Sequence, residues 1–204
     1  MSSHLSSYPR QTLNLRQAET VEKLFDATGA LLDEVGHEQL TIRMVASRAG
    51  VSPATAYNYF SSKDHLFAEL FWRLLAATPG PALTGRTPEA RVRQVTTHMA
   101  RLIAGAPALA AAVNKSLLGA DPEVHRLRIS IGRLWIDRFR QAMGEDADPD
   151  VLEAVNCAFV GALLHAGMGG SGYDHLEEVL SRIVRVIMGG AAPRKGQGRP
   201  ARKA

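Results

Sequence analysis

From Leu15 onward the apolar positions Ala18, Val21, Leu24, Phe25, Leu31, Leu32 and Val35 recur at helical spacing, which predicts an amphipathic helix stopped by Gly36. Thr41 is placed to cap a short helix through Arg48 with Met44, Val45 and Ala49 inward, and Gly50 ends it. Ser52 and Pro53 supply a cap and a first helical residue for a third, very short helix to about Tyr59. Ser61, Ser62 and Asp64 restart the chain, and Leu66, Phe67, Leu70, Phe71 and Leu74 carry a helix to about Ala77. "TPGPALTGRTP" then breaks the pattern, and beyond it the spacing predicts helices near 88–105, 107–118, 121–143, 149–168 and 173–188. Alternating strand patterns and internal repeats are absent. The fold class is therefore all-α, with about nine helices. The expected divisions are a flexible arm (1–14), a three-helix domain (15–60), a larger helical domain (61–190, with 61–77 as connecting helix) and a basic, disordered tail (191–204).

Composition changes this picture little, and charge changes it locally. At 204 residues the chain can bury a substantial core. Its single cysteine, Cys157, excludes an internal disulfide, and its place in the most apolar helix suggests an inert, buried thiol. No stretch approaches the roughly 18 consecutive apolar residues of a membrane span, and the N-terminus lacks a signal-peptide block, so a cytoplasmic location is expected. The net charge of +4 comes from the tail, where five basic residues face no acidic one. The folded body is close to neutral. Positions 40–63 nevertheless hold Arg43, Arg48 and Lys63 without a carboxylate, predicting a local basic surface.

Two short helices joined by a glycine turn, with longer helices on either side, have the form of a helix-turn-helix whose second helix enters the DNA major groove. In "TIRMVASRAGVSPATAYNYF" the first short helix holds the second in place, Ala46 permits close approach, and Gly50 makes the turn. The second offers short or polar side chains at Ala54, Thr55 and Asn58 and hydroxyls at Tyr57 and Tyr59, with nothing to obstruct a groove about 12 Å wide. Lys63 and the start of the following helix suit backbone phosphates.

The stretch "LTIRMVASRAGVSPATAYNYFSSKDHLFAEL" resembles the DNA-binding domain of the tetracycline repressor (TetR) family, over roughly residues 15–75. The resemblance implies a homodimer on a two-fold, double-stranded DNA operator, usually a repressor released by a small molecule. It places Arg43 on a base or phosphate, Pro53, Ala54, Thr55 and Tyr57 on base edges, and Asn58, Tyr59 and Lys63 on phosphates, with Thr41 and Ser52 at the flanking caps. Ala56 departs from the larger apolar residue usual in the family, implying looser packing beneath the recognition helix.

In the second half, helix 149–168 is apolar nearly all round and reads as buried on every side. With the stripe of the last helix it would make a self-complementary dimer surface from Val160, Leu164, Leu176, Leu180, Ile183 and Ile187. An apolar effector pocket is expected among Met99, Leu102, Trp135, Phe139 and Phe159, with His98, Asn156 and His165 as embedded polar candidates.

Several apparent motifs fail. "GMGGSG" matches a dinucleotide glycine pattern but follows a helix, and Asp146, Asp148 and Asp150 start a calcium-loop pattern that lacks its glycine and closing glutamate. Glu34 and His37 form the one Glu-x-x-His, across the Gly36 stop. The tail's "GRP" lacks the arginine before its glycine that a minor-groove hook carries. No catalytic constellation, metal site or cofactor site stands out. The expected function is a DNA-binding transcriptional regulator with a small, apolar effector; the rivals are an effector-independent architectural DNA-binding protein and a helical-bundle enzyme with a vestigial helix-turn-helix.

Overall fold

Helix starts in this chain share a simple local grammar. In a computed structural model describing residues 15–170 and 172–190, α3 (Pro53–Tyr59), α5 (Pro88–Ala104), α6 (Pro107–Ser116), α7 (Pro122–Met143) and α8 (Pro149–Gly167) all open on proline. At that position the missing N–H costs nothing and φ is already helical. Four of these prolines follow a side-chain cap: Ser52, Thr87, Asp121 and Asp148 each accept a backbone N–H of the first turn. Asp148, the middle carboxylate of the apparent calcium loop, is thus a helix cap. The remaining helices are α1 (Leu15–Gln39), α2 (Ile42–Arg48), α4 (Lys63–Ala77) and α9 (Leu176–Gly190), with a 3-10 turn at Tyr173–His175. Among the described residues the fold is all-α with nine helices. The arm and the basic tail of the sequence analysis lie outside the described residues.

Gly36 interrupts α1 where the sequence places a stop: it takes φ 73°, ψ 165°, a non-helical conformation open essentially to glycine alone, and a further short helical stretch beyond the kink runs to Gln39. The core runs without a break through both halves of the chain. Phe25, Phe60 and Phe67 fill the N-terminal end, and Met99, Trp135, Phe139 and Phe159 the C-terminal end. α4 packs against α6 and α7, but α1 also packs against α6, so α4 is not alone in joining the two halves.

Helix C-termini leave carbonyls without partners, and here cations from distant elements supply them. Lys63 Nζ donates to the carbonyls of His37 (3.1 Å), Glu38 (3.1 Å) and Leu40 (3.4 Å) at the end of α1. Arg91 donates to Ala142 (2.7 Å) and Met143 (3.4 Å) at the end of α7. Arg128 donates to Leu117 after α6, and Arg138 to Thr78 after α4. These four cations therefore close helix ends and are not presented as a basic surface.

α8 corrects an expectation. Val155, Phe159, Ala162 and Ala166 form one buried stripe, while Ala154, Cys157, Val160, Gly161 and Met168 are exposed, so the helix is buried on one side only. By length and composition alone it is apolar enough to cross a membrane, although Asp150, Glu153 and Asn156 interrupt its apolar run, because much of its outer face is apolar as well. Cys157 lies on that outer face and is exposed, not buried.

Candidate nucleic-acid interface

α2 and α3 meet through small and branched side chains. Ile42, Val45, Ala46 and Ala56 are all buried, with Met44 and Ala49 half-buried at the margin. Val51 N–H donates to the Ala46 carbonyl at 3.0 Å and Gly50 N–H to Ser47 at 3.2 Å, with Gly50 at φ 69°, where a side chain is strained. Phe60 closes the end of α3 beneath this turn, its ring 5.5 Å from Phe25 and 5.7 Å from His65. The recognition helix is thereby fixed on its inner side. Ala56 is only 1% exposed, so the short side chain brings α3 close to its support.

On the outer side Pro53, Ala54, Tyr57 and Asn58 are exposed, Tyr57 by half of its surface. Thr55 is half-buried and its hydroxyl lies 2.8 Å from that of Ser52, which itself accepts the Thr55 N–H. Tyr59 is half-buried, its ring 6.5 Å from Phe60. Thr41 is exposed and accepts the Met44 N–H, so its hydroxyl keeps a capping task as well. Seven helical residues span about 10 Å, and this ridge of short polar groups around one tyrosine fits the major groove.

The basic surface is smaller than the sequence suggested. Arg43 is exposed. Arg48 is held by Glu34 through two hydrogen bonds of 2.9 and 2.5 Å, which lower the carboxyl below its usual range and raise the guanidinium. Lys63, expected on phosphate, donates instead to the carbonyls of His37 and Glu38 in α1 and of Leu40 just beyond it. The start of α4 is also occupied: Ser62 Oγ donates to Asp121 at 2.6 Å, and Ser116 Oγ donates to Asp64 at 2.8 Å. Hydrogen bonding from Ser62 in turn keeps the Asp121 carboxyl low. With two carboxylates there, that helix end is a poor phosphate site, and Arg43 carries the local positive field.

Replacing Lys63 with alanine should therefore act on the fold. Loss of the α1 cap is expected to cost about 1–2 kcal/mol, or roughly 2–8 °C in melting temperature. Unchanged melting with uniformly weaker DNA binding would instead assign Lys63 to phosphate.

Of the expected effector residues, Met99, Trp135, Phe139 and Phe159 come together in the core. The Phe159 ring lies edge-on to Trp135 at 5.3 Å and to Phe139 at 5.5 Å. Leu102, His98 and Asn156 are half-buried. His165 is exposed, packed against Gly170 where any side chain would collide with its ring, so it does not join the cluster. Cavities of about 480 and 340 Å³ open elsewhere, around the α7–α8 turn. Among the expected interface residues Val160 is 42% exposed, and Leu164, Ile183 and Ile187 are half-buried. Leu176 and Leu180, at 1% exposure, belong to the chain's own core and cannot face a partner. Val186 on α9, 74% exposed, and Met168, 79% exposed, widen the outer apolar face instead. Sequence periodicity missed Asn114, whose amide donates 2.8 Å bonds to the Leu163 carbonyl and to the Tyr173 hydroxyl, joining α6, α8 and the 3-10 turn.

Residues 24–70 match the family described as bacterial regulatory proteins, tetR family. An uncharacterized HTH-type transcriptional regulator of Mycobacterium tuberculosis is 40% identical over 180 residues, covering 87% of this chain and 84% of that one. The chain belongs to the TetR family of transcriptional regulators. A transcriptional repressor of Mycolicibacterium smegmatis, KstR, is 33% identical over 137 residues, 65% of this chain and 67% of that one. Among solved structures, a TetR regulator from Rhodococcus sp. RHA1 superposes with a TM-score of 0.68 at 22% identity, covering 86% of this chain and 98% of that one. The TetR repressor FadR of Thermus thermophilus, in complex with lauroyl-CoA, gives 0.65 at 20%, covering 90% and 100%. The matched segment, residues 24–70, spans the α2–α3 turn, the whole of α3 and the first half of α4, so it holds every residue expected above to contact DNA.

Proposed function

We propose that this TetR-family regulator is a homodimeric repressor that binds a two-fold operator and is released by a small, largely apolar effector. One observation carries the reading: the outer face of α3 presents Pro53, Ala54, Tyr57 and Asn58 on a helix whose inner face is buried. In this reading Pro53, Ala54, Thr55 and Tyr57 meet base edges, and Arg43, Asn58 and Tyr59 meet phosphates or sugars. Residues 15–60 form the DNA-reading unit and 61–190 the effector and dimer unit. The protein acts in the cytoplasm. Dimerisation through the outer faces of α8 and α9 would set two recognition helices roughly 34–36 Å apart, one turn of DNA. The word repressor in the name of the KstR relative supports the direction of control.

Selection of bound sequences from random DNA should return an inverted repeat. Tyr57→Ala should weaken that site by about 1–3 kcal/mol with unchanged melting, since half of the side chain is exposed and truncating it opens no cavity in the core. Weak, uniform binding with no consensus would instead support the architectural reading.

A further inference from the structure

The cations that close helix ends differ in one respect. Lys63 and Arg91 place their donors on carbonyls. Arg138, on α7, donates Nη2 to the Thr78 carbonyl at 3.0 Å and lies over the Trp135 ring, its Cζ 5.7 Å from the centroid. Its Nη1 is shut off from water without a hydrogen-bond partner. His98, on the adjoining α5, is in the same condition: its ring bonds the Pro79 backbone, and its Nε2 is buried and unpartnered. Burial and the charge of Arg138 hold this imidazole below its usual value, and burial lowers Arg138 itself. Carboxylates on neighbouring turns are taken: Asp137 bonds Arg140 and Glu177 bonds Arg101. Two half-buried side chains, a guanidinium and an imidazole, thus each hold one buried nitrogen in the same neighbourhood with no anion on it among the described residues, an arrangement native structures avoid without cause.

We propose that Arg138 Nη1 and His98 Nε2 form a receptor for the acid group of a carboxylate-bearing apolar molecule, set at the C-terminal end of α4. This rests on the effector reading above and specifies its ligand. One carboxylate oxygen accepts from Arg138 Nη1, and the other shares a proton with His98 Nε2. The apolar body has half-buried partners one turn away on each helix, Leu134 before Arg138 and Leu102 after His98, with Trp135 beneath the guanidinium. Pro79 and Gly80, in a stretch that carries no helix, border the site: the Pro79 backbone bonds His98, and a side chain at Gly80 would stand 4.0 Å from Arg138 Nε. The position gives the ligand leverage. Thr78 is the C-cap of α4, so a carboxylate that draws Arg138 to itself weakens the bond closing that helix. The far end of α4 is tied through Ser62 and Asp64 to the α6–α7 region and follows directly on the recognition helix.

The test uses the full chain with decanoate and decan-1-ol, below their aggregation limits, read by tryptophan fluorescence. Decanoate should perturb the wild-type signal and bind about 10- to 100-fold more tightly than the alcohol, the range of a charge-assisted pair of hydrogen bonds. Trp135→Phe, which retains Trp72, should lose most of the signal. Arg138→Gln should abolish the preference for acid over alcohol, and His98→Gln should reduce it; melting curves check both folds, and if Arg138→Gln is poorly folded the His98→Gln preference decides. Equal binding of acid and alcohol, an unchanged preference in these variants, or no binding of decanoate reported by Trp135 would overturn the proposal. Release of the selected operator is measured separately: acid bound through Arg138 without release leaves the receptor standing and removes the effector-release reading.

Discussion

Val160→Glu is expected to yield a folded monomer that has lost operator binding. Val160 is 42% exposed at the centre of an outer face that includes Ala154 and Cys157 on α8 and Met168 just beyond its end, with Val186 on α9 also exposed. Polar solvent beside so much apolar surface is relieved when a second copy covers it. A carboxylate brought into that contact without a partner would cost several kcal/mol per copy and appear twice across a two-fold axis. The monomer itself is spared, because the Val160 position is solvated within one chain. Loss of the second half-site removes the gain from linked binding, about 10²- to 10⁴-fold. Sedimentation should show the monomer, circular dichroism an unchanged helix content, and band-shift titration the lost affinity. Leu180→Glu is the control: at 1% exposure inside one chain, the same charge should unfold the protein. A Val160→Glu protein that still sediments as a dimer would place the interface on another face.

The contrast between those two positions shows what the sequence could convey. Helical spacing and caps were enough to place all nine helices within a few residues, because Ser-Pro, Thr-Pro and Asp-Pro starts and glycine stops are local signals. The recognition helix was legible for the same reason: its inner and outer sides differ in residue type within seven positions. The outer faces of α8 and α9 were less so. Both sides of α8 are apolar, and periodicity cannot tell the side covered by the same chain from the side left open. Leu176 and Leu180 were misread in this way, as was the environment of Cys157. Long polar side chains were least legible. Lys63 and Arg138 end on carbonyls 23 to 60 residues away in sequence, contacts that depend on how helices cross. A basic count over positions 40–63 could not show that Arg48 was matched by Glu34 and Lys63 by α1.

Phe60→Ala is expected to destabilise the whole chain in a single transition, which tests whether the DNA-reading unit is a separate domain in the thermodynamic sense. Phe60 is 2% exposed and its ring meets Phe25 of α1, Tyr59 of α3 and His65 of α4, so truncation empties the point where three helices converge. Removal of a buried phenylalanine costs about 3–5 kcal/mol, or roughly 6–20 °C for a chain of this size. If residues 15–60 were independent, the loss would appear as an early transition with the remainder melting at its original temperature. The packing argues otherwise. α1 rests on α6 and the Lys63 cap crosses the boundary to the end of α1, while α4, which follows directly on Phe60, is held to the larger half by its packing on α6 and α7 and by the Ser62–Asp121 and Asp64–Ser116 bonds. Melting of the N-terminal core would expose Phe67, Phe71 and Leu75 on α4, which are also support for the larger half. Calorimetry of Phe60→Ala should therefore give one peak, shifted down as a unit. Two resolved peaks, the upper at the wild-type temperature, would show that the halves fold separately and that α4 transmits strain to the recognition helix without sharing its stability.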